Sequence, residues 1–563
     1  MMTSQGSGDL PSESAVHPPR LAFFIAFLVY TLFALSVTLV PIRTDNDCWW
    51  HVKSGAYIAE HGLPVNDVFS FAAEDHEWHN HEWLSQLAFH GAHVAGEGVG
   101  VGGWSGVIVF TAAMVWATYA IAFLLAGRLS GSWWIALLIA VIAVSIGRRT
   151  FAPRPPVISN LLLMGQITLF VAIAEGWIRR RWIIAIVPVI ALWTNLHGGW
   201  MAAGIVLAAF MADQFISHFR DRLPRLPFDR ALGIVPPRLL IALGAATLLA
   251  TLANPYGWRL YELPARVMGD TSLVRAIGEL RQPEMYFVID FEFAVHAAFV
   301  LALLVGGRVR KPLWEILIWL FFLHQAIHHV RHLLLFSVML VPMYARLAGA
   351  AADAARASLA EWRPSAPWLM RVPGAASLLL ALGLAQWVIV AWREGGRPAD
   401  LLDFRPAVSP PTYPQRNAQL LGGTAYIRDR FPAALADVIE MAEPTGRMFN
   451  ENHYAGYLIW RLSPEKHKVF SDSRFDIFGG TIWRDEESIA TGADDWSALL
   501  DKYDIQWAIA RADTGLEARM AQPTSGWTAA ATVAPRWRIF VRNTPENAAM
   551  IDRFKAAAAV TVR

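Results

Sequence analysis

Long apolar runs separated by short polar connections fill the chain from Leu21 to about residue 392. A membrane span needs about 20 predominantly apolar residues. Runs that meet or approach this length are 21–42, 104–126, 133–147, 157–178, 182–195, 199–216, 238–253, 291–306, 313–328, 332–349 and 373–392. They predict about eleven spans, several short enough to be tilted or partly re-entrant. The first run, Leu21–Ile42, is too long for a signal h-region and has no clear small-residue cleavage site, so it reads as a retained span. The pattern changes after the Pro-rich stretch "RPAVSPPTYPQ" (405–415). Apolar runs there shorten to strand length in "RMFN", "HKVFSDS", "QWAIAR" and "TAAATVAPRWRIFVRN", and they alternate with helical stretches such as "GTAYIRDRF" and "DDWSALLDKY". The expected fold is therefore a polytopic α-helical membrane protein with a C-terminal extracytoplasmic α/β domain. Its expected parts are a cytoplasmic tail (1–20), a membrane domain (21–397) with a first external loop at 43–103, a linker (398–415) and the α/β domain (416–563).

Composition agrees with that reading. Of 563 residues, 55% are hydrophobic and only 17% charged, whereas soluble domains carry about a quarter charged residues. A net charge of +2 gives nucleic-acid binding no bulk electrostatic support. Cys48 is the single cysteine, which excludes an intramolecular disulfide and any multi-Cys metal site. Arginine placement sets the orientation. With the N-terminus inside, Arg128, Arg179–Arg181, Arg220–Arg230, Arg308–Lys311 and Arg346–Arg371 fall on cytoplasmic segments. The first external loop then holds just Arg43 and Lys53 against many carboxylates, and the C-terminal domain lies outside. The expected location is the bacterial cytoplasmic (inner) membrane.

The polar motifs with no obvious structural excuse all fall on the outer face: "TDNDCWWHVKSG" (44–55), "EDHEWHNHEW" (74–83), "RRTFAPRPP" (148–156), "NLHGGW" (195–200), "NPYGWRLYELP" (254–264) and "HQAIHHVRH" (324–332). Ionisable groups at membrane depth are costly and usually purposeful, so the motifs suggest one outward-facing site built from several loops. Arg148, Arg149 and Arg154 run against the positive-inside trend and need compensation. Either an anionic phosphate supplies it, gripped bidentately, or the carboxylates of the acidic first loop do. His324, His328 and His332 fall at i, i+4 and i+8, with Arg331 alongside. They suit a phosphate or substrate pocket, while a single helical face offers zinc two ligands comfortably and a third poorly. "NLHGGW" exposes His197 on a glycine turn or is simply a hairpin. His79 and His81, flanked by Glu77 and Glu82, could bind a metal or a polar substrate, or merely open an interfacial helix over "HEWLSQLAFHGAHV". In the C-terminal domain, "SDSRFD" offers Asp472, Arg474 and Asp476 either to an acceptor or to turns and caps.

Taken together, these residues resemble the GT-C superfamily of integral-membrane glycosyltransferases, which includes protein O-mannosyltransferases and lipid A aminoarabinose transferases. That superfamily carries an acidic motif in the first external loop, just after the first span and ahead of an interfacial helix. "TDNDCWWHVKSG" followed by "HEWLSQLAFHGAH" occupies that place. The chain looks most like a bacterial branch with D-x-D-x-W-W-H, N-L-H-G-G and N-P-Y-G patterns and an external tail, matched here by "FNENHYAGYLIWRL" and "VFSDSRFDIFGG". The resemblance implies transfer of a sugar from a polyprenyl-phosphate carrier to a lipid, glycan or protein acceptor. It implies Asp45 or Asp47 as the catalytic carboxylate, with Trp49 and His51 lining the pocket. Mannosyltransferases have a directly adjacent Asp-Glu pair, whereas Asn46 separates the carboxylates here, so which Asp is the base stays open. A divalent cation held by Asp45 and Asp47 stays open too. Arg148, Arg149, Arg154, His197, His328, Arg331 and His332 would serve the departing phosphate. The competing readings are a transporter or flippase of a lipid-linked glycan, which needs ionisable residues near the bilayer midplane, and a non-catalytic envelope assembly protein. Asp213 and Glu315 are among the few charges inside the predicted spans.

Overall fold

A computed structural model of the chain describes residues 20–39, 45–222, 228–262, 312–362, 432–533 and 536–561, with 264–265, 294–298, 301 and 310. The predicted span 373–392, ten of the sixteen residues of 291–306, the N-terminal tail up to residue 19, the linker, "GTAYIRDRF" and Arg43 lie outside the described residues.

Within the described residues, five helices are long and apolar enough to cross a membrane: Arg20–Thr38 (α1), Gly103–Ser130, Pro156–Ala174, Trp200–His218 and Val330–Ser358. Trp133–Gly147, Pro237–Ala250 and Leu313–His328 are shorter apolar helices. The run 182–195 is not one helix. Arg180–Ala185 forms a 3-10 turn, and an eight-residue helix, Ile186–Trp193, follows it. Pro188 lies in the first turn of that helix, where its missing amide leaves no helical hydrogen bond unmade.

The first loop contributes two further helices, Asp47–His61 (α2) and Trp83–Gly98 (α3), which pack on one another. In chain order, Gly103–Ser130 is α4, Trp133–Gly147 is α5 and Pro156–Ala174 is α6. Helix α4 is the hub of the bundle, packing against α1, α3, α5, α6 and the 30-residue helix Leu333–Trp362. Ser132 starts α5 by accepting from the amide of Ile135, as an N-cap serine does.

Both in-span acids have partners, while Asp213 Oδ2 is buried without a hydrogen bond among the described residues. Asp213 Oδ1 accepts from the amide of Leu313 (3.1 Å), capping the helix Leu313–His328. Glu315 pairs with Arg346 (2.8 and 2.9 Å), which also reaches Glu175 (2.7 Å), and Arg310 closes the network on Glu175 (2.6 Å). Glu175 directly follows α6, whose other end carries Arg154, so this network marks the opposite face of the bundle from the first loop.

The C-terminal domain folds around a four-stranded sheet of order β1-β2-β4-β3: Arg447–Phe449 (β1), Ile505–Arg511 (β2), Trp527–Val533 (β3) and Trp537–Arg542 (β4). β1 and β2 are parallel, and the other pairs are antiparallel. The stretch "HKVFSDS" does not join this sheet. Val469 exchanges backbone hydrogen bonds with Phe69 (2.9 Å) and Phe71 (3.0 Å) of the first loop, joining the two as a parallel bridge.

That bridge is one of several ties. The helix Asn452–Leu462 packs on α2 so closely that a Cβ at Gly456 would lie 2.0 Å from the Asn46 carbonyl oxygen. Lys53 pairs with Glu465 (3.0 Å), and His76 Nδ1 lies 2.8 Å from the Ile477 carbonyl. Arg474, fully buried, pairs with Asp472 (2.6 Å) and with Asp67 of the first loop (2.7 Å), under the faces of Trp78 (4.6 Å) and Phe69 (5.2 Å). A guanidinium between two buried carboxylates satisfies charges that would be very costly alone. Asp472 and Arg474 are thus an internal lock between the first loop and the C-terminal domain, closed to an acceptor.

Candidate active site

Asp47 opens α2 and Asp45 stands just ahead of its N-cap, Asn46, where carboxylates are favoured by exposed amides and the helix dipole. Asp45 Oδ1 accepts from the amide of Cys48 (2.8 Å), so one of its oxygens is committed to capping the helix. Its other oxygen faces Arg154 Nε at 2.8 Å, and Arg154 Nη1 meets Asp47 Oδ2 at 2.6 Å. The remaining oxygen of Asp47 accepts from the hydroxyl of Ser473, a residue of the C-terminal domain. One guanidinium therefore bridges both carboxylates of the D-x-D. Asp47 is the more open of the two, with 23% of its side chain exposed against 11% for Asp45.

Of the two expected sources of compensation for Arg154, the structure shows the acidic first loop. Arg148 and Arg149 lie in a 3-10 turn, Arg148–Thr150, at the end of α5; the side chain of Arg149 is outside the described set.

His51, one turn along α2, is buried, with Nε2 3.9 Å from Glu82 Oε2. His197 Nε2 lies 3.6 Å from Glu82 Oε1, and His81 Nε2 is 3.8 Å from the same atom. Burial, helped by the charge of Arg154 and by neighbouring imidazoles, drives both His51 and His197 well below the usual histidine range. Both rings gather at the Glu82 carboxylate, where uncharged imidazoles offer hydrogen bonds and no charge. The expectation that Trp49 lines the pocket is corrected. Its side chain is fully buried against Trp104 (4.2 Å), Tyr457 (4.9 Å) and Trp460 (5.0 Å), where it packs the joint between the first loop and the C-terminal domain and lines no open pocket.

Hydrogen bonds between loops hold this arrangement together. Asn195 accepts from Trp83 Nε1 (2.9 Å), its carbonyl takes the Leu84 amide (3.2 Å), and its amide side chain donates to Ala253 (2.8 Å). Arg259 of the N-P-Y-G loop pairs with Glu77 (2.6 Å).

The histidine-rich motif does not present one face. The helix Leu313–His328 ends at His328, His329 is extended, and Val330–His332 turns as a 3-10 element. His332 therefore leaves the i, i+4, i+8 line. His328 stacks on His324 (4.2 Å) with its Nδ1 2.9 Å from the His324 carbonyl. Arg331 is half-buried, forms no ion pair or hydrogen bond with the described residues, and its charge contributes to the depression of His197.

Among the described residues, no group of three or more His, Cys, Asp or Glu side chains is arranged to hold a metal ion. The place a cation would take between Asp45 and Asp47 is filled by the Arg154 guanidinium, so these residues do not fit a resident metal. Sequence reasoning offered the pairing of Arg154 with the acidic first loop as one of two alternatives. It missed Ser473 and Ser159, whose hydroxyl lies 2.8 Å from His197 Nδ1, because an isolated serine carries no signal of a distant partner.

No protein-family model matches the chain. A stretch of 137 residues is 28% identical to the cytochrome c-type biogenesis protein CcmF of Pseudomonas fluorescens, covering 23% of this chain and 18% of that protein. Solved structures match far more of it. An oligosaccharyltransferase of Archaeoglobus fulgidus with a tethered acceptor peptide superposes with a TM-score of 0.52 at 11% identity, over 87% of this chain and 69% of that one. The archaeal oligosaccharyltransferase AglB from Archaeoglobus fulgidus, in complex with an inhibitory peptide and a dolichol-phosphate, gives 0.51 at 10% identity over the same shares. The arabinofuranosyltransferase AftD from Mycobacteria gives 0.50 at 14% identity, over 94% of this chain and 42% of its own. The chain has the fold of the membrane-embedded GT-C glycosyltransferases.

Proposed function

We propose that this chain transfers a sugar from a polyprenyl-phosphate carrier to a lipid, glycan or protein acceptor at the outer face of the cytoplasmic membrane. The observation that carries this reading is the Asp45–Arg154–Asp47 bridge at the mouth of a site assembled from several loops. The dolichol-phosphate and acceptor peptide bound by the archaeal neighbours support the two substrate classes. Glycosyl transfer needs a base for the acceptor hydroxyl and a counter-charge for the departing phosphate. Asp47 is the base: it is the more exposed carboxylate, and it is oriented by Ser473 on one oxygen and Arg154 on the other. Asp45 is a positioning residue that caps α2 and holds the guanidinium. Arg331 receives the phosphate, with Arg154 beside the base as the second cation. A positioned base contributes about 10²–10⁴-fold.

A transporter reading loses ground, because Asp213 and Glu315 are spent on a helix cap and an ion-pair network. The test is mass spectrometry of surface glycans and glycolipids in a strain lacking the gene, rescued with wild type or Asp47→Asn at equal expression. Loss of one sugar mass, restored by wild type and not by the variant, is the expected result. Full rescue by Asp47→Asn refutes the assignment of the base.

A further inference from the structure

The N-P-Y-G motif has no role in the chemistry assigned so far, and its residues go to building one cavity. Asn254 Oδ1 accepts from the amide of Tyr256 (2.8 Å), and Nδ2 donates to the carbonyls of Thr251 (2.8 Å) and Gly257 (3.3 Å). Gly257 sits at φ +56°, in the left-handed region that favours glycine. Pro255 and Tyr256 of this pinned turn line a cavity of about 260 Å³, together with Leu63, Pro64, Val65 and Trp78 of the first loop. The first-loop wall is fixed in advance as well. The Trp78 amide donates to the Val65 carbonyl (2.8 Å), and Asn66 and Glu77 form an antiparallel bridge.

The charged lining of the cavity is a single pair, Glu77 and Arg259. The guanidinium grips both carboxylate oxygens (2.6 and 2.5 Å), and His79 Nε2 stands 3.4 Å from Glu77 Oε1 with its ring 5.2 Å from that of Tyr256. Glu77 and Arg259 are 42% and 39% exposed, so a ligand reaches them. Their charges cancel, which suits a neutral ligand. A bidentate pair also keeps spare N–H donors beside spare carboxylate lone pairs. Adjacent hydroxyls match that pattern, because each one donates and accepts. The rings of Trp78 and Tyr256 offer negative faces to polarised C–H groups. A sugar ring carries both kinds of surface. The volume lies just under the range of about 300–1,000 Å³ usual for small-molecule sites, which is room for a ring or two and not for a lipid tail.

Position sets the role. Trp78 also lies against Arg474 (4.6 Å), and the neighbouring Ser473 donates to Asp47. The cavity wall thus stands one layer of side chains away from the proposed base, and a ring held there is not the ring that reacts. We propose that the cavity binds an outlying, uncharged sugar unit of the acceptor, which makes the acceptor a glycan and not a protein or a simple lipid. This rests on the glycosyltransferase reading above.

The test uses the full-length protein in nanodiscs and measures equilibrium binding of three probe sets. They are neutral disaccharides of glucose, galactose, mannose or N-acetylglucosamine, the same disaccharides ending in glucuronic acid, and a proline-containing tripeptide. Wild type is expected to bind at least one neutral disaccharide more tightly than its acidic counterpart and than the peptide. Arg259→Gln should weaken that binding about tenfold, the scale of one hydrogen bond to a charged group. Tyr256→Ala should weaken it several-fold through the lost ring face. Glu77→Gln leaves Arg259 without its counter-charge and should shift the preference toward the acidic disaccharide, a change that misfolding does not produce. Binding of no neutral disaccharide, tighter binding of the acidic form or the peptide by wild type, or indifference to both Arg259→Gln and Tyr256→Ala each overturns the inference. An unchanged glycan profile in the strain lacking the gene refutes the transferase reading, and with it the acceptor role, whatever the binding shows.

Discussion

Replacing Arg474 by Met removes the cation from a buried triad and leaves Asp67 and Asp472 facing each other without compensation. Both carboxylates and the guanidinium are almost wholly inaccessible to water. Breaking a buried ion pair by deleting one partner costs about 3–5 kcal/mol. The cost belongs to the joint between the first loop and the C-terminal domain, so it should appear as a fall in apparent Tm on the order of 10 °C. Trp78 and Trp50 lie over the guanidinium at 4.6 and 6.0 Å, so their fluorescence reports the same joint. Burial already raises the Asp472 carboxyl above its ordinary value with Arg474 in place, and losing the cation raises it further. A carboxyl with a raised folded-state pKa contributes its stability fully below the unfolded value and loses it as pH rises through the folded value. The deficit of Arg474→Met is therefore largest at pH 8 and shrinks toward pH 5. Adding Asp67→Asn and Asp472→Asn should restore more than half the loss, because no bare charge then remains. The assay is thermal unfolding in detergent followed by tryptophan emission, with limited proteolysis of the C-terminal domain alongside. A variant that melts within about 2 °C of wild type at pH 8, with unchanged proteolysis, would refute the claim that this triad locks the two parts together.

Two further outcomes follow from the same joint. Gly456→Ala puts a methyl group where the Asn46 carbonyl stands, and overpacking of this kind costs about 1–3 kcal/mol. Because Asn46 lies between the two aspartates, sugar transfer in the glycan assay should fall together with stability, and a fully active, fully stable variant would contradict the contact. Glu486, buried beneath the donors of Asn452 and Ser471, is pushed up to about 7 by burial. Its raised value means stability is lost as pH climbs through 7, by an amount on the order of 3 kcal/mol at full ionisation. Glu486→Gln should flatten the dependence of Tm on pH between 5.5 and 8.5, and an unchanged slope in the variant would assign that dependence to another group.

Much of the architecture was legible in the order of residues because its causes are local. Helices of membrane length follow from unbroken apolar runs such as Gly103–Ser130, and all four strands fall in the strand-length runs "RMFN", "QWAIAR" and "TAAATVAPRWRIFVRN". The opening aspartates could be placed at a span's mouth because charge is expelled from hydrocarbon. Pairings across the chain could not be read this way. Arg154 and Asp47 stand 107 positions apart, and Ser473 and Asp47 stand 426 apart; no local preference records which cation meets which anion. The resemblance implies that Trp49 lines the pocket, and only the arrival of Tyr457 and Trp460 against it places it in a core. The same holds for "SDSRFD", where a strand-end motif suited to a ligand became a buried lock once Asp67 came within 2.7 Å of Arg474. The sequence by itself determined the apolar helices, their polar mouths and the inventory of chargeable groups. The tertiary structure decided which of those groups neutralise one another and which stay open to a substrate, because that depends on distances between segments that no local interaction encodes.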